Sequence, residues 1–248
     1  MDLILAITDD GSSAKKAVAY ASHLAKRLKT DILIAPAAKL IGNAAGIDAI
    51  DDAEEPDTCA QDVQHHLVKY IVIAGDVYYG ASGLMTDPKL EQLLLNANAP
   101  VIIISEDVPV RYTEKFVFLT DITADDSTEL GLLCGLADLS AASVMLTQLN
   151  APRLLNREQQ AAWDMIMKDK ISATDYGRIY HYNIPDNMDK PDIQFIIKNC
   201  RAEALAIVHP QGGLIDGNIL NFGFKNALYG SLKIPLVIFP SSVTAHKN

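Results

Sequence analysis

The chain has 248 residues, 49% of them hydrophobic and 21% charged, with a formal net charge of -10. That balance suits a globular protein with one large domain or two small ones. The acidic excess argues against a DNA or RNA partner, whose binding needs clustered Lys and Arg, and against an anionic membrane surface.

The first apolar run, residues 3–7, ends at Thr8-Asp9-Asp10 and has no basic stretch before it. It reads as a strand rather than a secretory leader. Further apolar runs follow at 32–35, 70–74, 101–104, 116–119, 144–147, 204–208 and 236–239. All are strand-length, rich in Ile, Val and Leu, and free of strict polar alternation. Continuous apolar strands separated by helical stretches predict a parallel sheet covered on both faces. No run approaches the roughly 20 residues of a membrane span, so a soluble, cytoplasmic protein is expected.

The runs repeat. Thr8-Asp9 closes the first and Thr120-Asp121 the fifth, an offset of 112 positions. The same offset carries Val18 onto Leu130, Ala21 onto Leu133, Leu24 onto Leu136 and Ala25 onto Ala137, the spacing of one helical face. It then carries Ile32, Leu33 and Ile34 onto Val144, Met145 and Leu146. One register held across strand, helix and strand signals a duplicated unit. Beyond it the offset grows: Ile71 matches Leu205 and Pro100 matches Pro235, so the first half is 22 residues shorter at this point. The second half fills the interval with a helix over 157–171, a strand over 178–184 and a helix over 191–201. The first half offers only 38–69, beginning with the acidic, loop-like 48–57. The expectation is α/β: two tandem doubly wound parallel-sheet domains, 1–110 and 111–248, the first lacking one edge strand.

The three cysteines, Cys59, Cys134 and Cys200, are widely spaced and form no CxxC; buried, inert thiols are expected for Cys134 and Cys200. His65-His66 with Cys59 lacks a second ligand pair, so no metal site is expected. His181 and His209 end adjacent candidate strands; His209 could face a ligand at the sheet's carboxyl edge, and a lone polar loop histidine is the preferred reading. Ser231 forms no Gly-x-Ser-x-Gly elbow, and no Gly-x4-Gly-Lys-Ser/Thr loop occurs. No catalytic residue is assigned.

Two βαβαβαβαβ units of this size resemble the universal stress protein family. The resemblance rests on Thr8-Asp9-Asp10-Gly11-Ser12 and Thr120-Asp121-Ile122-Thr123 at the first strand ends, Gly80-Ala81-Ser82-Gly83-Leu84 after the fourth strand, and Pro100 and Pro235 before the last strands. It implies an adenine nucleotide alpha hydrolase-like fold with strand order 3-2-1-4-5, and a family with ATP-binding and non-binding forms. The binding form carries Gly-x2-Gly-x9-Gly-Ser/Thr, whose glycines let backbone N–H groups reach phosphate oxygens. Here Gly80-x2-Gly83 is followed by Leu93-Leu94 instead of the second glycine and hydroxyl. In the second half Gly213-x9-Gly223 keeps the spacing, but Pro210 replaces the first glycine and Phe224 the hydroxyl residue. The resemblance assigns adenosine contacts to Asp121 and Leu149 in the second half, and to Asp9 and Ala37 in the first. The motifs of the enzymes that share this topology, His-x-Gly-His and Ser-Gly-Gly-x-Asp-Ser, are missing.

Three functions are carried forward: a non-enzymatic stress-response binding or regulatory module without a tight cofactor, a weak ATP or AMP sensor using the second half, and an unassigned α/β enzyme. The resemblance also implies that the final strands, 101–104 and 236–239, pair antiparallel within the chain. Such pairing joins the two domains and leaves any homodimer to other surfaces.

Overall fold

The computed structural model describes residues 2–38, 67–75, 99–120, 126–148, 157–182, 193–208 and 233–239. The strands are β1 (Asp2–Thr8), β2 (Asp31–Pro36), β3 (Leu67–Ala74), β4 (Val101–Ile104), β5 (Lys115–Thr120), β6 (Ser143–Gln148), β7 (Ile179–Tyr182), β8 (Ala204–Val208) and β9 (Leu236–Phe239). The helices are α1 (Ala14–Leu28), α2 (Ser127–Asp138), α3 (Arg157–Ser172) and α4 (Ile193–Cys200). The result is an α/β fold with a mostly parallel sheet. The apolar run at 70–74 belongs to a longer strand, because Leu67 and Val68 continue the ladder with Asp2 and Leu3, the register shifting at Lys69.

The chain divides into two compact units, Met1–Arg111 with Tyr229–Pro240, and Tyr112–Leu228 with Ser241–Asn248. By sequence β9 belongs to the second half. It groups with the first unit because its backbone is hydrogen-bonded to β4.

In the first unit the parallel order is β2-β1-β3-β4. β1 is central, and Leu3 to Ile7 are each at most 4% exposed. β9 then pairs antiparallel with β4, setting Val101 opposite Ile238, Ile102 opposite Val237 and Ile103 opposite Leu236. Both strands are apolar throughout and buried at every position. Unpaired, β4 would present an apolar row of free N–H and C=O groups, the kind of edge that invites aggregation. α1 lies over the sheet through Ala17, Tyr20, Ala21, Leu24 and Ala25, the i, i+3, i+4, i+7, i+8 stripe of an amphipathic helix. Its end is marked by Lys29 in the left-handed region (φ 53), whose N–H donates to the Ala25 carbonyl.

In the second unit the parallel order is β7-β6-β5-β8. β5 is an interior strand, with Phe116, Val117 and Phe118 at most 2% exposed. α2 buries Leu130, Leu133, Cys134, Leu136 and Ala137. α4 buries Ile193, Ile196 and Cys200, again one helical face.

Candidate functional site

Parallel α/β sheets bind ligands beyond the carboxyl ends of their strands, so those ends are where a site is sought. In the first unit the register pairs Thr8 with Pro36, which places Asp9 and Ala37 at the same carboxyl edge. The Asp9 side chain is already engaged locally, since its Oδ1 accepts a hydrogen bond from the Gly11 N–H at 2.8 Å. This is an Asx turn, a short loop in which an Asp side chain mimics a backbone carbonyl. The turn delivers the chain into α1, where the Gly11 carbonyl accepts the Ala14 N–H and the Ser13 carbonyl the Ala17 N–H. Ala37 offers only a buried methyl group, 7% exposed.

At the end of β3, Gly75 meets the end of β4. A Cβ at this position would lie 3.1 Å from the Ser105 Cα and 3.3 Å from the Ile104 carbonyl oxygen. Both are backbone atoms, so the missing side chain is what lets the two strand ends converge. Sequence reasoning does not single out Gly75, although a glycine directly after a buried strand is the signal for such a close approach.

In the second unit the register pairs Thr120 with Gln148 at the carboxyl edge. Asp121 and Leu149 follow these residues, and they lie outside the described residues, as do Gly213, Gly223, Gly80 and Gly83. Cys59, His65, His66, His209 and Ser231 also lie outside them. What the second unit does display is an acidic pair at the start of α2 that sequence reasoning misses. Asp126 and Glu129 are each 2% exposed. The spacing is that of a capping box, yet the Asp126 side chain makes no capping bond. Its Oδ1 instead accepts a hydrogen bond from the Lys170 ammonium, which reaches across from the last turn of α3. The two side chains are 3% and 11% exposed, so this ion pair is largely buried and ties α2 to α3.

Nearby groups are tuned by burial. The Cys134 thiol is pushed up to about 11 by burial, with a hydrogen bond from Thr174 opposing the shift. Burial pushes the Cys200 thiol up as well. On β7, burial pulls the His181 imidazole below its ordinary value while the Asp164 carboxylate opposes the shift. In the first unit the Tyr70 phenol is pushed up to about 12 by burial. A thiolate is the reactive form, so neither Cys134 nor Cys200 is a poised nucleophile. Iodoacetamide at pH 8 is accordingly expected to leave both unmodified in the native chain and to label both in denaturant, with peptide mass spectrometry as the readout. Among the described residues, no group of three or more His, Cys, Asp or Glu could hold a metal ion. No helix there is long and apolar enough to cross a membrane.

No protein-family model matches the chain, and no curated protein sequence matches it. Solved structures do. A universal stress protein from Archaeoglobus fulgidus DSM 4304 superposes with a TM-score of 0.54 at 12% identity, over 96% of this chain and 95% of its own. The fold is that of the universal stress proteins. A candidate universal stress protein from Pseudomonas aeruginosa UCBPP-PA14 matches with a TM-score of 0.51 at 13% identity, over 96% of this chain and 93% of its own. A functionally unknown protein from Pseudomonas aeruginosa PAO1 gives 0.52 at 12% identity, over 96% and 92%. At these identities the likeness concerns the universal stress fold and not an activity.

Proposed function

We propose that the chain is a tandem, two-domain protein of the universal stress type, a cytoplasmic stress-response binding or regulatory module and not an enzyme. The observation that carries this reading is the fold match, which spans 96% of the chain and nearly all of its counterparts. The 112-residue offset supports the tandem arrangement, with strand order 3-2-1-4-5 in the second copy and the outermost strand missing from the first. In this reading the strand that covers the first copy's final edge is supplied by the chain itself. A homodimer would then use other surfaces.

Tight nucleotide binding is not expected. In the first copy Leu93-Leu94 replaces one half of the phosphate cradle, and the Asp9 carboxylate already holds its own turn. In the second copy Pro210 has no N–H to donate, and Phe224 has no hydroxyl. Two missing charge-assisted contacts, each worth about 1.5–3 kcal/mol, weaken binding by roughly two to four powers of ten. Titration calorimetry with Mg-ATP is therefore expected to show no micromolar binding.

The second reading is an adenine-nucleotide sensor, favoured by the Gly213-x9-Gly223 spacing together with Asp121 at the strand end. Low-micromolar ATP binding that Asp121→Ala weakens more than Asp9→Ala would establish that reading in place of the first. Mass spectrometry of small molecules released from the purified chain would name any other ligand.

A further inference from the structure

The two units differ at one sheet edge. In the second, β6 is flanked by β5 on one side and β7 on the other. In the first, β2 is flanked by β1, and it is the last strand of the sheet among the described residues. The 112-residue offset sets Ile34 against Leu146 and Ile32 against Val144. Leu146 and Val144 are both fully buried, at 0%. Ile34 is 47% exposed, and Ile32 and Leu33 are only half-buried. Among the described residues nothing pairs with the outer edge of β2, and an apolar strand edge of that kind is a template for a further strand.

We infer that the outer edge of β2 takes up an extended segment of a partner protein as an added parallel strand. The inference rests on the repeat relation between the units and is independent of whether either unit binds nucleotide. The second unit supplies the pattern for the occupant. β7 runs parallel to β6, with Ile179 opposite Val144, Tyr180 opposite Met145, His181 opposite Leu146 and Tyr182 opposite Thr147. Just before this ladder the Val144 N–H donates to the Arg178 carbonyl, so Arg178 lies beside the start of β6. Transferred to β2, the residue in the place of Arg178 comes beside Asp31, which is exposed at the start of the strand. A basic residue there meets an acidic one, in a chain with a formal net charge of -10. The segment that fits therefore has a basic residue followed by about four apolar or aromatic residues, held by main-chain hydrogen bonds and by cover over Ile32 and Ile34.

The chain's own sequence provides the probe: a fluorescent, N-acetylated peptide of residues 177–182, added to the full-length protein. Binding by anisotropy is expected, with amide exchange over residues 31–35 slowed about tenfold or more at saturation. Asp31→Lys and Ile34→Lys are each expected to weaken binding at least tenfold, and Ile34→Val to leave it unchanged. Because Ile34 is half-exposed, the lysine variant should stay folded, and the exchange data on the unaltered chain test the idea without it. No binding, protection on another strand, or full binding to both lysine variants would overturn the inference. So would a concentration-dependent dimer abolished by Ile34→Lys, since that places a second copy of the chain on this edge.

Discussion

Replacing Ile103 with lysine is expected to unfold the first unit. Ile103 is 2% exposed and sits in the ladder between Ile73 of β3 and Leu236 of β9. An ammonium at that point has hydrocarbon on both sides and no carboxylate in the ladder to meet it. Burying an unpaired charge costs several kcal/mol even after relaxation, against a total stability of about 5–15 kcal/mol for a domain. Urea titration followed by circular dichroism should show no cooperative transition, or one at a much lower midpoint. The milder Ile103→Ala keeps the strand and removes its packing, at a cost of about 2–5 kcal/mol. In that variant the backbone amides of Leu236, Val237 and Ile238 should lose exchange protection together with those of Val101 to Ile104. Protection of β9 that survives the loss of protection in β4 would show that the ladder between them does not hold β9 in place.

The second large effect concerns Lys170. Lys170→Met removes the cation from an aspartate whose side chain is 3% exposed, and Glu129 in the same helical turn is 2% exposed. Breaking a buried pair from one side costs more than its Coulomb energy in water suggests, because the remaining charge stays desolvated; about 3–5 kcal/mol is the usual range. The double variant Lys170→Met with Asp126→Asn should recover a good part of that loss, since neither site is then charged. A double-mutant cycle from urea denaturation separates the pairwise contribution. A single-variant cost below about 1 kcal/mol would mean the pair behaves as a surface ion pair does.

Much of the fold is legible because buried parallel strands leave a plain trace. Residues 3–7 and 116–119 are covered on both faces, so they carry no polar alternation and read as strands at once. α1 is legible for a related reason: one stripe of Ala17, Tyr20, Ala21, Leu24 and Ala25 faces the sheet. The Asp126–Lys170 pair is not legible, since its partners stand 44 positions apart and neither belongs to a periodic pattern. Nor is the register of β4 with β9, which depends on how two backbones slide and not on which apolar residues they carry. Of the candidate site, Asp9 is readable as the residue that follows a strand. Its bond to the Gly11 N–H is available from Asp-x-Gly, a turn signal that a search for ligand contacts passes over.

The bond between β4 and β9 also has a meaning in time. A ribosome makes β4 long before it makes β9: about 130 residues separate Ile104 from Leu236. At about 5–20 residues per second, β4 waits roughly 7–26 seconds for its neighbour. Through that interval β4 lacks the strand that pairs with its apolar edge in the finished chain, however stable the finished protein is. A release or stall of synthesis between residues 104 and 236 leaves a fragment that has Val101-Ile102-Ile103-Ile104 but not the strand that pairs with it in the finished chain.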